Sequence, residues 1–452
     1  MAIITNRIKK QVIEGLITDF DSTGTQYYIG VGRSQDWNDS DIAPTELNHQ
    51  REERDFRHSL QSIKTIADLS FVVPRYNWSS GAVYSAYRDN FVGYPTQPYY
   101  VINENNQVYI CIEQATNADG TALVSTVQPT GNTSGTPFAT ADGYIWKFLY
   151  SISAIDANKF IAANYIPVKL QGLTDSDSQA SDIEQLAVQN AAVPGQIIGY
   201  SVESGGAGYT SAPTLSVTGN GSEAKATLSI SGGIVTKAEL IDSSGAFTLG
   251  SGYDYAKVTL SGGGTPSKPA KLRPVLSTPL GLGGDPRDDL RSTAIMFNVK
   301  PEGAEGNGDW IIGNDFRQIG LVKNMRAYVD GVADSANGPL FSATTGSALN
   351  KLGITGLSGD QVDVKFTQSA TGAAAYIDKI DSANIWYHQD EDTGFKEFNL
   401  SAITGTGISG TVNSVDSAEV YKYTGEVLYI DNRAAVSRSA DQTEDIKIVI
   451  QI

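Results

Sequence analysis

Residues 423–452 read YTGEVLYIDNRAAVSRSADQTEDIKIVIQI. In the last run Ile446, Ile448, Ile450 and Ile452 alternate with Lys447, Val449 and Gln451. This period of two predicts a half-buried strand. Four Ile side chains on one face are expected to contribute roughly 6–12 kcal/mol, at ~1.5–3 kcal/mol each as an upper bound. The pattern therefore predicts a C-terminal strand that closes the main core, and deletion of 445–452 is expected to abolish folding.

A second long apolar run, DWIIGNDFRQIGLVKNM (309–325), is the natural partner of this strand region, and a shorter one at 293–299 precedes it. Upstream, DGYIWKFLYSI (142–152) is the most hydrophobic strand candidate of the N-terminal half. VINENNQVYICIEQ (101–114) reads as a hairpin with Glu104, Asn105 and Asn106 in the turn. The 26–32 segment, the VVPRYNW run (72–78) and 98–102 are further strand candidates. Residues 1–20 predict a short helix or extended arm, with Ile4, Ile8, Val12 and Leu16 four apart, and 45–64 predicts a solvated helix. Residues 116–141 read as a long loop. Ser181 and Glu184 match a capping box that opens a short helix to Gln189.

Composition changes after Gly195. Between 195 and 264, 15 of 70 residues are glycine, against ~5 at average usage. IIGYSVESGGAGYTSAPTLSVTG and VTKAELIDSSGAFTLGSGYDYAKVTLSGG share one order: strand, glycine-rich turn, Gly-Tyr (Gly208-Tyr209 and Gly252-Tyr253), strand, glycine. This degenerate repeat predicts a compact inserted β module at 196–266. Pro266, Pro269, Pro274, Pro279 and Pro286 then read as an extended linker at the start of a core continuation, 267–330. A second β-rich insertion is expected at 331–421. Its strand candidates are 362–367 and 374–380, followed by a hairpin of 384–388 with 395–400 through QDEDTG. The remaining assignments are 1–195, the N-terminal part of the core with its arm, and 422–452, the closing strands. The predicted class is mainly β with minor α: a β-sandwich core with α/β arms, discontinuous in sequence, plus the two modules.

The balance of charges, 33 − 50 = −17, argues against nucleic-acid or anionic-membrane partners, which require clustered Lys and Arg. The single Cys111 rules out an intrachain disulfide, fits a reducing cytoplasm and reads as a buried strand thiol. The N-terminal MAIITNRIKKQVIEGL is not expected to act as a signal peptide. No apolar run reaches the ~18 residues that a bilayer requires, so a soluble protein is expected.

No motif carries a specific chemistry. The GTGISG match (Gly405, Gly407, Gly410) is followed by β-branched residues rather than a helix, so nucleotide binding is not expected. Asp175, Asp177 and Gln179 begin like a calcium loop, but Leu186 stands where its last ligand would be. His49 and His58, nine apart, do not share a helical face for a metal. Asp390, Glu391 and Asp392 beside His388 read as a solvated turn rather than an acid–base pair. No catalytic residue, metal or cofactor is expected.

The series GRSQDW (32–37), VPRYNW (73–78), DGYIWKFLYSI (142–152), NDFRQIGLVKN (314–324) and GEVLYIDNR…DQTEDIKIVIQI (425–452) resembles the baseplate wedge subunit encoded by gene eight of T-even-like contractile-tailed bacteriophages. The blocks match in order and rough spacing from end to end. The resemblance implies a β-sandwich core with α/β arms, a homodimer, no enzymatic activity, and a place in the virion tail baseplate beside other wedge subunits, after assembly in the host cytoplasm. The sequence departs from the family pattern at 196–266, at 331–421 and at Ala434-Ala435, which replaces a Pro-rich pair. Aromatic and Arg anchors dominate interfaces, so Trp37, Arg75, Trp78 and Arg317 are the candidate interface residues, with core packing (for Trp) or a surface ion pair (for Arg) as the plainer role. Two other readings remain open. One is a tail-associated glycan-binding module or depolymerase using Tyr209 and Tyr253; the other is a capsid or tail decoration protein.

Overall fold

In the computed structural model, the described residues are 3–452 except 39, 132, 173–178, 243, 245, 302–309, 311–312, 330–337 and 439–443. The chain is mainly β with minor α, 41% strand against 11% helix, built of antiparallel sheets and one six-stranded barrel. Its contacts divide it into two compact units, each assembled from separated segments. One comprises Met1–Ile13, Ser70–Met296 and Val449–Ile452; the other comprises Glu14–Leu69 and Phe297–Ile448.

The second unit holds a five-stranded sheet in the order Thr345–Ser347, Leu60–Thr65, Tyr27–Gly32, Asp315–Lys323, Glu426–Ser437. Gly30 pairs with Gly320 across two central strands. Phe56, on the helix Gln50–Ser59, fills the space they leave: a Cβ on Gly320 would lie 2.3 Å from Phe56 Cζ. The expected 45–64 helix is thus shorter, because Leu60 and Ile63 pair into the sheet and are fully buried. Sheet hydrogen bonds on one side and packing around Phe56 on the other outweigh helix propensity there.

Strands Asn350–Ser358, Asn384–His388, Ala373–Asp381, Lys365–Gln368, Ala402–Gly405 and Ile408–Asp416 close into the barrel. Leu352, Ile354, Phe366, Ile377, Ile385 and Val412 fill its interior. The expected hairpin of 384–388 with 395–400 does not form. Asn384–His388 pairs with Asn350–Ser358 and Ala373–Asp381 instead, and 395–400 contains no strand. Phe398 from that segment stacks on Phe366 at 5.1 Å, and Gln368 Nε2 donates to the Asn399 carbonyl at 2.9 Å. Apolar residues that look like a strand in one dimension serve here as a plug. GTGISG is the hairpin between the last two barrel strands, with Gly407 at φ +70°.

In the first unit, Tyr100–Ile102, Gln107–Glu113, Ile145–Ser151 and Phe138–Ala139 form a sheet in that order. Tyr84, Tyr109, Tyr144, Trp146 and Phe148 pack over it, with Val188 from the helix Ala180–Asn190. That helix begins earlier than expected: Asp182, rather than Glu184, reaches back to accept from the Gln179 N–H at 3.3 Å. Glu184 accepts instead from Ser151 Oγ at 3.2 Å. Asp175 and Asp177 lie outside the described residues.

The two copies of the repeat meet each other. Thr214–Gly219 of the first pairs with Ala256–Ser261 of the second, Val217 opposite Val258. Such reciprocal pairing lets two short, glycine-rich strands bury a face that neither buries alone. The proline-rich stretch that follows is not a free linker, since Lys271–Leu276 pairs with Ile197–Ser204.

The N-terminal end forms the expected helix, whereas the C-terminal end departs from expectation. Helix Asn6–Phe20 buries Ile13, while Ile4, Ile8 and Val12 are 65%, 52% and 50% exposed. The strand Ile446–Gln451 stands at the edge of a four-stranded sheet beside Ala294–Val299, followed by Asp68–Pro74 and Tyr165–Pro167. Of Ile446, Ile448, Ile450 and, just past the strand, Ile452, only Ile448 is buried, and Val449 on the opposite face packs against the cluster of Val72, Phe160, Ala294 and Met296. Side chains stand out of the plane of the ladder bonds, and here the layer over the Ile face covers Ile446, Ile450 and Ile452 only in part.

Candidate interface residues and polar junctions

Arg317 is not a surface anchor. It is 4% exposed, and its guanidinium donates to Asp41 Oδ1 and Oδ2 at 2.8 and 3.0 Å, to Asp36 Oδ1 at 2.6 Å and to the Ser34 carbonyl. Asp315 Oδ2 lies 3.6 Å away. Burial alone would lower its pKa; the Asp41 hydrogen bonds and the charges of Asp41, Asp36 and Asp315 raise it instead. Forked donation from a planar cation to two carboxylates fixes the 33–41 loop against the sheet.

Trp37 belongs to the same junction. Its Nε1–H donates to the Arg433 carbonyl at 2.9 Å, and the Arg33 guanidinium lies 4.2 Å from its ring centre. Next to it, Gln318 Nε2 donates to Asn432 Oδ1 at 2.8 Å, and the Asn432 N–H donates to Glu46 Oε1 at 2.7 Å. The 32–37, 314–324 and 425–433 blocks are thus neighbours in one sheet, stitched by buried polar side chains.

Arg75 and Trp78 hold the first unit together internally. Arg75 Nε donates to Asn77 Oδ1 at 2.9 Å and its Nη1 to the Ala162 carbonyl at 3.1 Å. Trp78 is half-buried against the Tyr84–Trp146 cluster, and its Nε1–H donates to Ser125 Oγ at 3.1 Å. Core packing is the plainer alternative for Trp78, and Arg75 is likewise held within the chain. Trp37 and Trp78 keep only part of their rings toward solvent.

His388 joins a carboxylate other than the sequence-adjacent ones. Its Nδ1 lies 2.6 Å from Asp378 Oδ2, with both side chains enclosed at 1% and 0% exposure. Ser34 Oγ and Gln61 Nε2 bond the other oxygen of Asp378 at 3.1 and 3.3 Å, and Asn314 Nδ2 donates to the Asp378 carbonyl at 2.7 Å. The serine hydroxyl bonds the carboxylate rather than the imidazole, so the nucleophile–base pairing of a hydrolytic triad is not formed. Asp392, by contrast, takes Lys365 at 2.8 Å and the Tyr376 hydroxyl at 2.9 Å on the surface. Nothing in the local pattern around Asp378 marks it; the pairing depends on the register of two barrel strands, Tyr376 opposite His388.

His49 caps the Gln50–Ser59 helix, accepting from the Glu52 N–H at 3.0 Å, whereas His58 bonds the Tyr423 hydroxyl at 3.0 Å. Cys111 is fully buried, and burial pushes its thiol well above the usual range. Tyr209 and Tyr253 are 5% and 4% exposed. Tyr209 accepts from the Ala270 N–H at 2.9 Å, and Tyr253 packs where a Cβ on Gly221 would stand. Neither ring offers a face for stacking on a sugar.

No helix among the described residues is long and apolar enough to cross a membrane. No family model matches the chain, and no curated protein matches it.

Proposed function

We propose that this chain is a structural subunit of a contractile phage tail baseplate wedge, acting through protein–protein interfaces in baseplate assembly and in the switch to sheath contraction. The observation that carries the reading is spatial. Three of the five sequence blocks that resemble the wedge family, 32–37, 314–324 and 425–433, are adjacent strands and loops joined by Arg317, Trp37 and the Gln318–Asn432 bond. The other two, 73–78 and 142–152, share the packing of Trp78 with Trp146. Blocks that read as a scattered series are therefore scaffold in both units, which is how a shared architecture persists around variable insertions.

In this reading the protein forms a homodimer and binds other wedge subunits, with no catalytic residue and no cofactor. Its net charge of −17 favours neighbours with basic faces. Apolar side chains left open on the first helix and just before it, Ile8, Val12 and Ile4, are the kind of surface such assembly covers. The test is light scattering of the purified chain, followed by mixing with the other wedge subunits from the same genome. A dimer that enters a larger complex is expected; a lone monomer that binds none of them overturns the reading. The glycan-binding alternative loses its two proposed platforms, since Tyr209 and Tyr253 are buried.

A further inference from the structure

A polar cleft of the first unit lies where the glycine-rich module packs on the 107–113 strand. It is lined by Arg88, Glu113, Thr116, Gly199, Ser201 and Lys237, among others, and has a volume of about 200 Å³. Its charges are unevenly satisfied. Lys237 Nζ is held by Glu113 at 2.9 Å and by Glu239 at 2.8 Å. The Leu240 N–H also donates to Glu113, at 3.3 Å. Asp89, the carboxylate next to Arg88 in sequence, is taken by Arg273 at 2.7 Å. The half-buried Arg88 guanidinium is left with no hydrogen bond or ion pair among the described residues. Thr116 Oγ1, also on the cleft wall, has no hydrogen-bond partner.

Arg88 lies beside Gly199, where a Cβ would stand in ordinary contact, 3.5 Å from Arg88 Nη1. Burial, and then the neighbouring Arg273 cation, push the Arg88 guanidinium below its usual value. The nearby carboxylates Asp89 and Glu113 offset this only in part, since each is bonded to another cation; an oxyanion bonded to Arg88 would supply both charge and acceptors. Across the lining, two cations face one carboxylate, in a chain that is strongly acidic overall.

We propose that this cleft binds a small oxyanion, a phosphate or carboxylate group, with Arg88 as its forked donor and the Thr116 hydroxyl as a second contact. The guanidinium presents parallel N–H groups that match two oxygens of either group. The cleft's volume admits a compact molecule and no polymer. Because two strands of the module line it, an occupant also ties the module to the sheet beneath.

The test is calorimetric titration of the full chain with inorganic phosphate and, separately, with succinate, at constant ionic strength. Saturable binding of at least one, tighter than about 1 mM, is expected, and which one binds assigns the source of the oxyanion. R88Q is expected to weaken it about ten- to a hundredfold, the loss of one charge-assisted contact. Lys365→Gln, which alters only the surface pair with Asp392 in the barrel, is expected to leave binding unchanged. R88K, which keeps the charge but loses the fork, is expected to fall between wild type and R88Q, and it serves if R88Q does not fold. Failure of both anions to saturate, or equal binding by the wild type and the folded Arg88 variants, overturns the proposal. Neither outcome bears on dimerisation or wedge assembly, so the two readings fail separately.

Discussion

His388 Nδ1 and Asp378 Oδ2 are 2.6 Å apart in a position closed to solvent, and Asp378 accepts two further bonds from Ser34 and Gln61. A buried group with this many partners cannot lose one cheaply. Asp378→Ala leaves three side-chain partners, His388, Ser34 and Gln61, unmet and is expected to cost ~3–5 kcal/mol. Chemical denaturation measures it, and a loss under about 1 kcal/mol would show that the barrel base does not rest on this pair.

Arg317 leads to a similar expectation at a different place. Arg317→Lys keeps a charge but cannot donate in a fork to Asp41 while also reaching Asp36 and the Ser34 carbonyl. A loss of ~2–4 kcal/mol is expected for the substitution. Proteolysis of the 33–41 loop should rise with it, because that guanidinium holds the loop against the sheet; an unchanged cleavage rate would remove that role.

Gly320→Ala tests packing rather than charge. The added methyl meets three atoms of the Phe56 ring at 2.3–2.9 Å. Overpacking of this kind is expected to cost ~1–3 kcal/mol. The double variant Gly320→Ala with Phe56→Leu should recover part of it, since the two sites share one space. Additive losses in the pair would place the strain elsewhere.

The pH dependence of the first unit should be visible through Asp289 and Lys147. Asp289 is fully buried, and burial raises its carboxyl from 3.8 to about 7 although Thr278 and the Gly283 N–H bond it. Its folded value lies above the unfolded one, so its contribution is fully present below about pH 4 and is lost as pH rises toward 7. Burial lowers Lys147 from 10.5 to about 8. The folded state therefore sheds that proton first, and stability recovers between about pH 8 and 10.5. Asp289→Asn should flatten the pH 4–7 fall while lowering stability overall, since an amide nitrogen cannot accept from both donors. Melting curves of wild type and variant across this range decide it; parallel profiles would mean that Asp289 does not titrate there.

The C-terminal strand makes a graded prediction. Ile448 is 6% exposed, whereas Ile450 is half-buried. Ile448→Ala should cost ~2–4 kcal/mol and Ile450→Ala about 1 kcal/mol. Equal costs would restore the fully buried Ile face that the alternation predicts. Deletion of 445–452 is accordingly expected to destabilise the four-stranded sheet rather than abolish folding of the whole chain.

Much of the strand content was legible in local pattern. The 142–152 run, the hairpin at 101–114 and the 26–32 segment carry enough apolar or turn residues to be read alone, and the repeat was visible, although the pairing of its two copies was not. The candidate site was less legible. Arg317, Arg75 and Trp78 looked like surface anchors because residue type says nothing of the carboxylates and carbonyls that three-dimensional neighbours bring. The 395–400 segment looked like a strand because an apolar plug and a strand share a composition.

Sequence by itself determined that this chain is mainly β and where most strands begin, because alternation and turn chemistry act over a few residues. Only the tertiary structure decided that Ile446–Gln451 is an edge strand, that His388 answers Asp378, and that Arg88 lines a cleft with no bonded partner among the described residues. Each of these depends on register and on contacts between residues ten to several hundred apart, which local free energies do not encode.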